Sequence, residues 1–283
     1  MPSDRVDRTG QVIDRRFRID AMIGRGAMAE VYRALDLETQ AEVALKILKK
    51  NLSGDPAAGL RFTREAEVQA KLRHRNIAAL HMTGITDRDE PYLVVELLRG
   101  RTLRHVIKAE VRLAPRRAVG YAWQALQGLA AVHESGVLHR DLKPANIMLE
   151  PSPDPIERVV LIDFGFATLG GAARLTKQGM VVGSLTYIAP ERLRGEQPDR
   201  RSDLYSIGVI LFEMLSGAPP FTAANEIELI EQHLDAPPPP LDPALPAALR
   251  EIVGHALAKY QVERYLDARA MASALSAAAR HLR

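Results

Sequence analysis

Cysteine is absent from the 283 residues, which excludes disulfides, thiolate metal sites and a cysteine nucleophile. No run approaches the ~20 consecutive apolar residues that a membrane-spanning helix requires. The segment from Met1 to Arg18 is charged and holds no apolar stretch of the signal-peptide kind, so the sequence reads as a cytoplasmic chain without a membrane segment. An excess of one charge is missing too: 38 Lys and Arg face 35 Asp and Glu, for a formal net charge of +3. The signs alternate along the chain instead of gathering, which describes a mixed-charge solvated surface and argues against a nucleic-acid partner. No internal repeat and no linker or tail of domain size is visible.

What is present is an ordinary globular composition, 47% apolar and 26% charged. The stretch that organises it is His139-Arg140-Asp141-Leu142-Lys143-Pro144-Ala145-Asn146, followed by Asp163-Phe164-Gly165. Apolar runs at Ile147–Leu149 and Val159–Ile162 lie between them, and a hairpin of these runs brings an Asp, a Lys, an Asn and a second Asp together. Such a set suits phosphoryl transfer, in which the protein mainly positions the reactants and neutralises charge. That chemistry needs an acid for the incoming hydroxyl, oxygen ligands for a divalent cation and a lysine for phosphate charge.

Further motifs run in the same order over most of the chain. Gly24-Arg25-Gly26-Ala27-Met28-Ala29-Glu30-Val31 lies between two strands, and Val43-Ala44-Leu45-Lys46 sits in an apolar strand with one charge. Gly183-Ser184-Leu185-Thr186-Tyr187-Ile188-Ala189-Pro190-Glu191 follows the Asp-Phe-Gly triplet. On these residues the chain, from about Phe17 to Leu282, resembles the bacterial eukaryotic-like (Hanks-type) protein serine/threonine kinases. The resemblance implies an α+β bilobal fold in one domain. A polar leader over 1–16 precedes an N-lobe of small antiparallel sheet plus one helix over 17–98, and a larger, mainly helical C-lobe covers 99–283.

The resemblance also implies roles. Asp141 orients the attacking hydroxyl, Lys46 and Lys143 stabilise phosphate charge, and Asn146 and Asp163 hold Mg²⁺, with Mn²⁺ an alternative. Glu65 pairs with Lys46; counted back from His74-Arg75-Asn76-Ile77, it takes that place ahead of Glu67. ATP lies under Ile23, Gly24, Arg25, Gly26, Ala27, Met28, Ala29, Glu30 and Val31. Its base is flanked by Ile23, Val31 and Ala44 on one side and Met148 on the other, with Val95 as gatekeeper and Glu96 and Leu98 in the hinge. Arg140 receives a phosphorylated Thr176, and the Ser184 hydroxyl bridges Asp141 and Lys143. Asp203 caps the backbone of the loop at 139–146, and Glu191 forms a buried pair with Arg264.

Lys143 and Ser184 mark the Ser/Thr class, and Ala189-Pro190-Glu191 speaks for peptide hydroxyls over small-molecule acceptors. The expected partners are ATP and protein substrates. A homodimer through the N-lobe is a family property that no residue here marks. Two departures from the pattern, Ala29 for a third Gly and Gln69 in an apolar position, are the only features that favour the alternative of a nucleotide- or partner-binding pseudokinase. A polar Gln69 costs stability unless it is hydrogen-bonded. The periodicity predicts helices over 60–72, 103–109, 118–135, 204–216, 246–258 and 267–281. On the third of these, Trp123, Leu126, Leu129, Ala130 and His133 form one stripe, and His133 is read as a core histidine without chemistry.

Overall fold

The computed structural model describes residues 8–26, 28–53, 55–163 and 185–282, leaving aside the side chains of 51, 53, 56, 57, 61 and 65. Ala27, Thr176 and Ser184 and the side chain of Glu65 therefore lie outside the described residues. The chain divides into two compact units, one running to Arg73 and including Ala78–Arg99, the other His74–Ile77 with Gly100 onward.

In the first unit β1 (Val12–Ile13), β2 (Phe17–Arg25), β3 (Ala29–Asp36), β4 (Glu42–Leu48), β5 (Leu80–Ile85) and β6 (Pro91–Glu96) form a sheet in the order β1-β2-β3-β4-β6-β5. All of its pairings are antiparallel. Successive side chains of a strand point to opposite faces, so the pairing sorts this unit into two layers. Phe17, Ile19, Tyr32, Val43, Leu45, Ile47, Tyr92 and Val94 fill one core. On the other face Ala29, Leu48, Leu80 and Leu93 pack with Phe62 and Ala66 of a helix, α2 (Pro56–Lys71), which follows a single turn, α1 (Lys50–Ser53). Gln69 of α2 is buried, and its Nε2 donates to the Ala78 carbonyl at 2.9 Å, which offsets the cost of a polar group at that position.

The segment read as a polar leader is part of the fold from Arg8 onward. Asp14 and Arg15 have φ of 52° and 55°, and Arg16 N–H bonds the Ile13 carbonyl at 3.0 Å, a tight hairpin turn that pairs β1 with β2. Arg8 forks onto Glu90 through Nη1 and Nη2 at 2.8 and 2.7 Å, both side chains buried. The reason is electrostatic: a carboxylate without exposure requires a cation, and the leader supplies it.

The second unit holds β7 (Arg101–Thr102), β8 (Ile147–Glu150) and β9 (Arg158–Leu161) in one sheet, with α3 (Leu103–Glu110) and α4 (Pro115–Glu134). α5 (Pro190–Arg194), α6 (Arg200–Ser216), α7 (Glu226–Leu234), α8 (Ala247–Ala256) and α9 (Ala268–Ala279) follow. α6 is buried on all sides from Ser202 to Leu215, as a helix at the centre of a helical unit must be. Asp199 caps its start, and Gly217, at φ 91°, ends it. Gly100 is required where β7 approaches β8, because a Cβ there would lie 1.7 Å from the Leu149 carbonyl oxygen. Of the stripe expected on α4, Leu126 and Leu129 are fully buried and Ala130 packs against the core, but Trp123 is exposed, and Ala118, Ala122, Ala125 and Val132 widen the core-facing side. A large aromatic weighed more in the sequence pattern than small alanines, which pack closer.

α7 was not expected from the sequence, although Asn225 marks its start. The Asn225 side chain accepts from Glu228 N–H at 2.9 Å, and Glu226 and Glu228 suit the positive helix end. Its His233 is fully buried, with Nδ1 2.9 Å from the Tyr205 hydroxyl and its ring edge-on to Phe221. Burial, assisted by the Lys259 charge, pushes His233 down to about 3. Between that value and about 6.5 the unfolded chain binds a proton that the folded chain refuses, so stability falls as pH is lowered through this window. A His233→Gln variant removes the effect: between pH 7 and 5 the wild type loses about 2 kcal/mol more than the variant. Urea denaturation of both proteins at the two pH values measures the difference, and equal losses exclude His233 as the source.

Candidate active site

The loop after α4 is held by Asp203, one turn into α6. Its Oδ2 accepts His139 N–H and its Oδ1 accepts Arg140 N–H, each at 2.9 Å. His133 Nε2 lies 2.8 Å from the same carboxylate. Burial raises the Asp203 pKa, but the His133 hydrogen bond and nearby positive charge outweigh it and hold the carboxylate below its usual range. His133 thus has a positioning part that periodicity gave no means to read. Arg140 carries a φ of 65° and Asp163 one of 54°. A left-handed conformation costs a residue with a side chain about 1–2 kcal/mol, and the two Asp203 bonds on the Arg140 side supply compensation.

From this fixed backbone the side chains of the loop converge. Lys143 Nζ donates to Asp141 Oδ2 at 2.7 Å. Asn146 Nδ2 donates to the Asp141 carbonyl at 2.8 Å and to Asp141 Oδ2 at 2.9 Å. Both bonds to the carboxylate fall on one oxygen, and the Asp141 side chain keeps 34% of its exposure, so Oδ1 can meet an incoming hydroxyl. Asn146, itself buried, also accepts Ile162 N–H through its carbonyl at 3.0 Å, which ties the residue before Asp163 to the loop.

The donor set suits a hard divalent cation. The nitrogen of Asn146 is spent on Asp141, which leaves its amide oxygen, and Asp163 adds an exposed carboxylate. Among the described residues no group of three or more His, Asp or Glu could hold a metal unaided. Mg²⁺ commonly uses one or two protein oxygens and completes its shell with phosphate and water, so this sparse set fits that ion.

Glu191 and Arg264 form a two-pronged pair, Nη1 to Oε1 and Nη2 to Oε2, both at 2.8 Å, with side-chain exposures of 1% and 0%. Ser202 Oγ donates to Glu191 Oε1 at 2.5 Å. Burial raises the Glu191 pKa, yet Arg264 and Ser202 bring it below the usual carboxylate value.

In the first unit the pairing of β3, β4 and β6 sets Val31 opposite Lys46 and Ala44 opposite Val95. Directly opposed residues share a face, so these four side chains lie together, on the face that α2 covers. The β2–β3 hairpin carries Gly24 and Gly26 at its tip, with Gly26 N–H on the Ala29 carbonyl at 2.9 Å. Ile23, Arg25 and Gly26 are exposed; Gly24, Met28, Glu30 and Val31 are half-buried. Ala29 is buried against Leu48, so its methyl group serves packing. Glu96, Leu98 and Met148 are half-buried, and Glu96 is held by backbone and side-chain bonds to Ala79.

A six-stranded antiparallel sheet backed by one helix, a helical second unit, and a loop that gathers Asp, Lys and Asn define the protein-kinase architecture. Comparison with known proteins agrees: the protein kinase domain family matches residues 17–266. The serine/threonine-protein kinase PknA of Mycobacterium tuberculosis is 37% identical over 274 residues, covering 95% of this chain and 63% of its own length. PknB of the same organism is 38% identical over 264 residues, covering 90% of this chain and 42% of its own. A crystal structure of the Mycobacterium tuberculosis PknI kinase domain superposes with a TM-score of 0.73 at 26% identity, covering 96% of this chain and 98% of that one. The chain belongs to the protein kinase family, in the branch of the bacterial Hanks-type serine/threonine kinases. It spans 63% of the length of PknA, and no helix among its described residues is long and apolar enough to cross a membrane. Kinases of this family work on ATP with a divalent metal.

Proposed function

We propose that the chain is a single catalytically active kinase domain, with N-lobe 17–98 and C-lobe 99–283, which transfers the γ-phosphate of Mg-ATP to Ser and Thr hydroxyls of proteins, itself included. The observation that carries this reading is the convergence of Lys143 and Asn146 on one oxygen of Asp141. In this reading Asp141 Oδ1 accepts the hydrogen bond of the substrate hydroxyl and aims its oxygen at phosphorus. Lys143, two residues away, steadies the transferring group, and Lys46, paired with Glu65, holds the phosphates farther from the reaction. Asn146 and Asp163 hold the metal, which when bound neutralises phosphate charge. The loop from Ile23 to Val31 covers the phosphates, while Ala44, Val95, Glu96, Leu98 and Met148 receive the base. Arg140 and Thr176 supply the activating charge pair, and the Ser184 hydroxyl joins Asp141 and Lys143. The domain works in the cytoplasm, where ATP is available, and a homodimer is a form for its activation.

The test is transfer of labelled phosphate from ATP to a general protein acceptor, followed by acid hydrolysis of the product. Phosphoserine and phosphothreonine, with Mg²⁺ supporting turnover and Mn²⁺ substituting for it, are expected. Phosphotyrosine alone, or label only in water-released phosphate, contradicts the assignment.

A further inference from the structure

The peptide that joins Arg140 to Asp141 is clamped from outside its own loop by a residue that sequence reasoning passed over. Arg192 stands in α5, next to Glu191, and its Nη1 donates to the Arg140 carbonyl at 2.5 Å. The N–H of the same peptide plane, that of Asp141, bonds the His139 carbonyl at 2.9 Å. The preceding N–H, that of Arg140, is held by Asp203 at 2.9 Å. Arg140 has a φ of 65°, a conformation that relaxes unless neighbouring groups over-determine it.

We propose that Arg192 is a positioning residue for phosphoryl transfer: its hydrogen bond to the Arg140 carbonyl fixes the peptide plane from which the Asp141 carboxylate projects. The clamp is well founded mechanically. Arg192 follows Glu191, whose carboxylate is locked by Arg264 and Ser202, so the donor is carried by an anchored turn of α5. Burial lowers the Arg192 pKa and the Arg140 guanidinium acts with it, while the Asp203 and Asp141 carboxylates act the other way, so the side chain sits among the charges of the loop. Asp203 and Arg192 hold the two ends of the strained residue: one takes its N–H, the other its carbonyl. Without Arg192 the plane can rotate, and the carboxylate leaves the line of attack.

The inference rests on the proposed kinase activity for its kinetic consequence, but its structural part is tested without turnover. In Arg192→Met, amide hydrogen exchange at Arg140 and Asp141 is expected to rise by about tenfold or more, while exchange in α6 stays as in the wild type. With protein substrate, kcat falls about 10- to 100-fold while KM for ATP stays within about twofold, the signature of a misplaced group. Arg192→Lys, which keeps a donor of similar reach, recovers most of both readouts. Unchanged exchange at Arg140 and Asp141 overturns the proposal whether or not the wild type turns over. A loss in KM with kcat intact overturns it as well, as does an Arg192→Lys variant no better than Arg192→Met. If Arg192→Met fails to fold, Arg192→Lys carries the test: exchange at Arg140 and Asp141 and kcat are expected to stay near the wild type or to move together, and raised exchange with kcat intact, or lowered kcat with exchange unchanged, overturns the clamp. A wild type that transfers no phosphate but shows the exchange effect refutes the kinase reading alone.

Discussion

Asp141→Asn lowers kcat for protein phosphorylation by about 10²- to 10⁴-fold, the range that loss of a positioned general base produces, and leaves ATP binding nearly intact. The substitution keeps the size and planarity of the side chain and one oxygen for Lys143 Nζ and Asn146 Nδ2. What it removes is the second carboxylate oxygen, the acceptor for the substrate hydroxyl. The effect on stability is small, because the Asp141–Lys143 pair is partly exposed and an ion pair of that kind contributes roughly 0–1 kcal/mol. Steady-state kinetics with a protein acceptor, beside nucleotide-dependent thermal shift, separates the two effects. A fall of less than tenfold in kcat removes Asp141 from the reaction coordinate; a loss of nucleotide binding moves its role from catalysis to architecture.

Arg264→Met destabilises the folded chain by about 3–5 kcal/mol, because it leaves the Glu191 carboxylate buried and uncompensated. At about 2–4 °C per kcal/mol for a chain of this size, the thermal midpoint drops by roughly 6–20 °C. Removing both charges with Glu191→Leu/Arg264→Met recovers part of the loss, since no unpaired ion then remains. Full recovery is not expected: Arg264 Nε also serves the Ala258 carbonyl at 2.8 Å, and its guanidinium lies 4.8 Å from the centre of the Tyr205 ring. The pair gives the fold a pH limit on the acid side. Glu191 is held below its ordinary value, so its contribution is complete above the unfolded carboxylate pKa and disappears as pH falls through the lower folded one. A double variant as unstable as Arg264→Met shows that shape, and not the unpaired charge, dominates this site.

These two sites mark the border between what the residues announce and what only the fold reveals. The loop at 139–146 was legible because the chemistry restricts residue types: a base, a phosphate-binding cation and an oxygen ligand have few substitutes. The strands from Phe17 to Leu48 were legible as short apolar runs around the Gly24–Val31 hairpin and Lys46; the third, buried on both faces, shows no alternation. Contacts that join distant positions without an apolar signature were not. Arg8 and Glu90 lie 82 positions apart, and nothing local in a charged leader points to a buried partner. His133, Ser202 and Arg192 act on a carboxylate or a carbonyl supplied by another segment, so their own neighbourhoods look like ordinary helix. Gln69 was visible as an anomaly, and its answer, the Ala78 carbonyl, lies beyond the end of its helix. Residues 164–184 contain Thr168 and Ser184 as well as Thr176, so the choice of Thr176 as the hydroxyl that Arg140 answers to rests on its match to the family pattern.

The most direct test of the account is the intact mass of the purified chain before and after incubation with Mg-ATP, with Asp141→Asn as control and peptide mapping of the product. The account predicts that the wild type gains phosphate on Ser and Thr, Thr176 among them, and that the control gains none. Nucleotide binding with no phosphate gained on the chain or on any protein acceptor contradicts it, and leaves a kinase fold that holds ATP without using it.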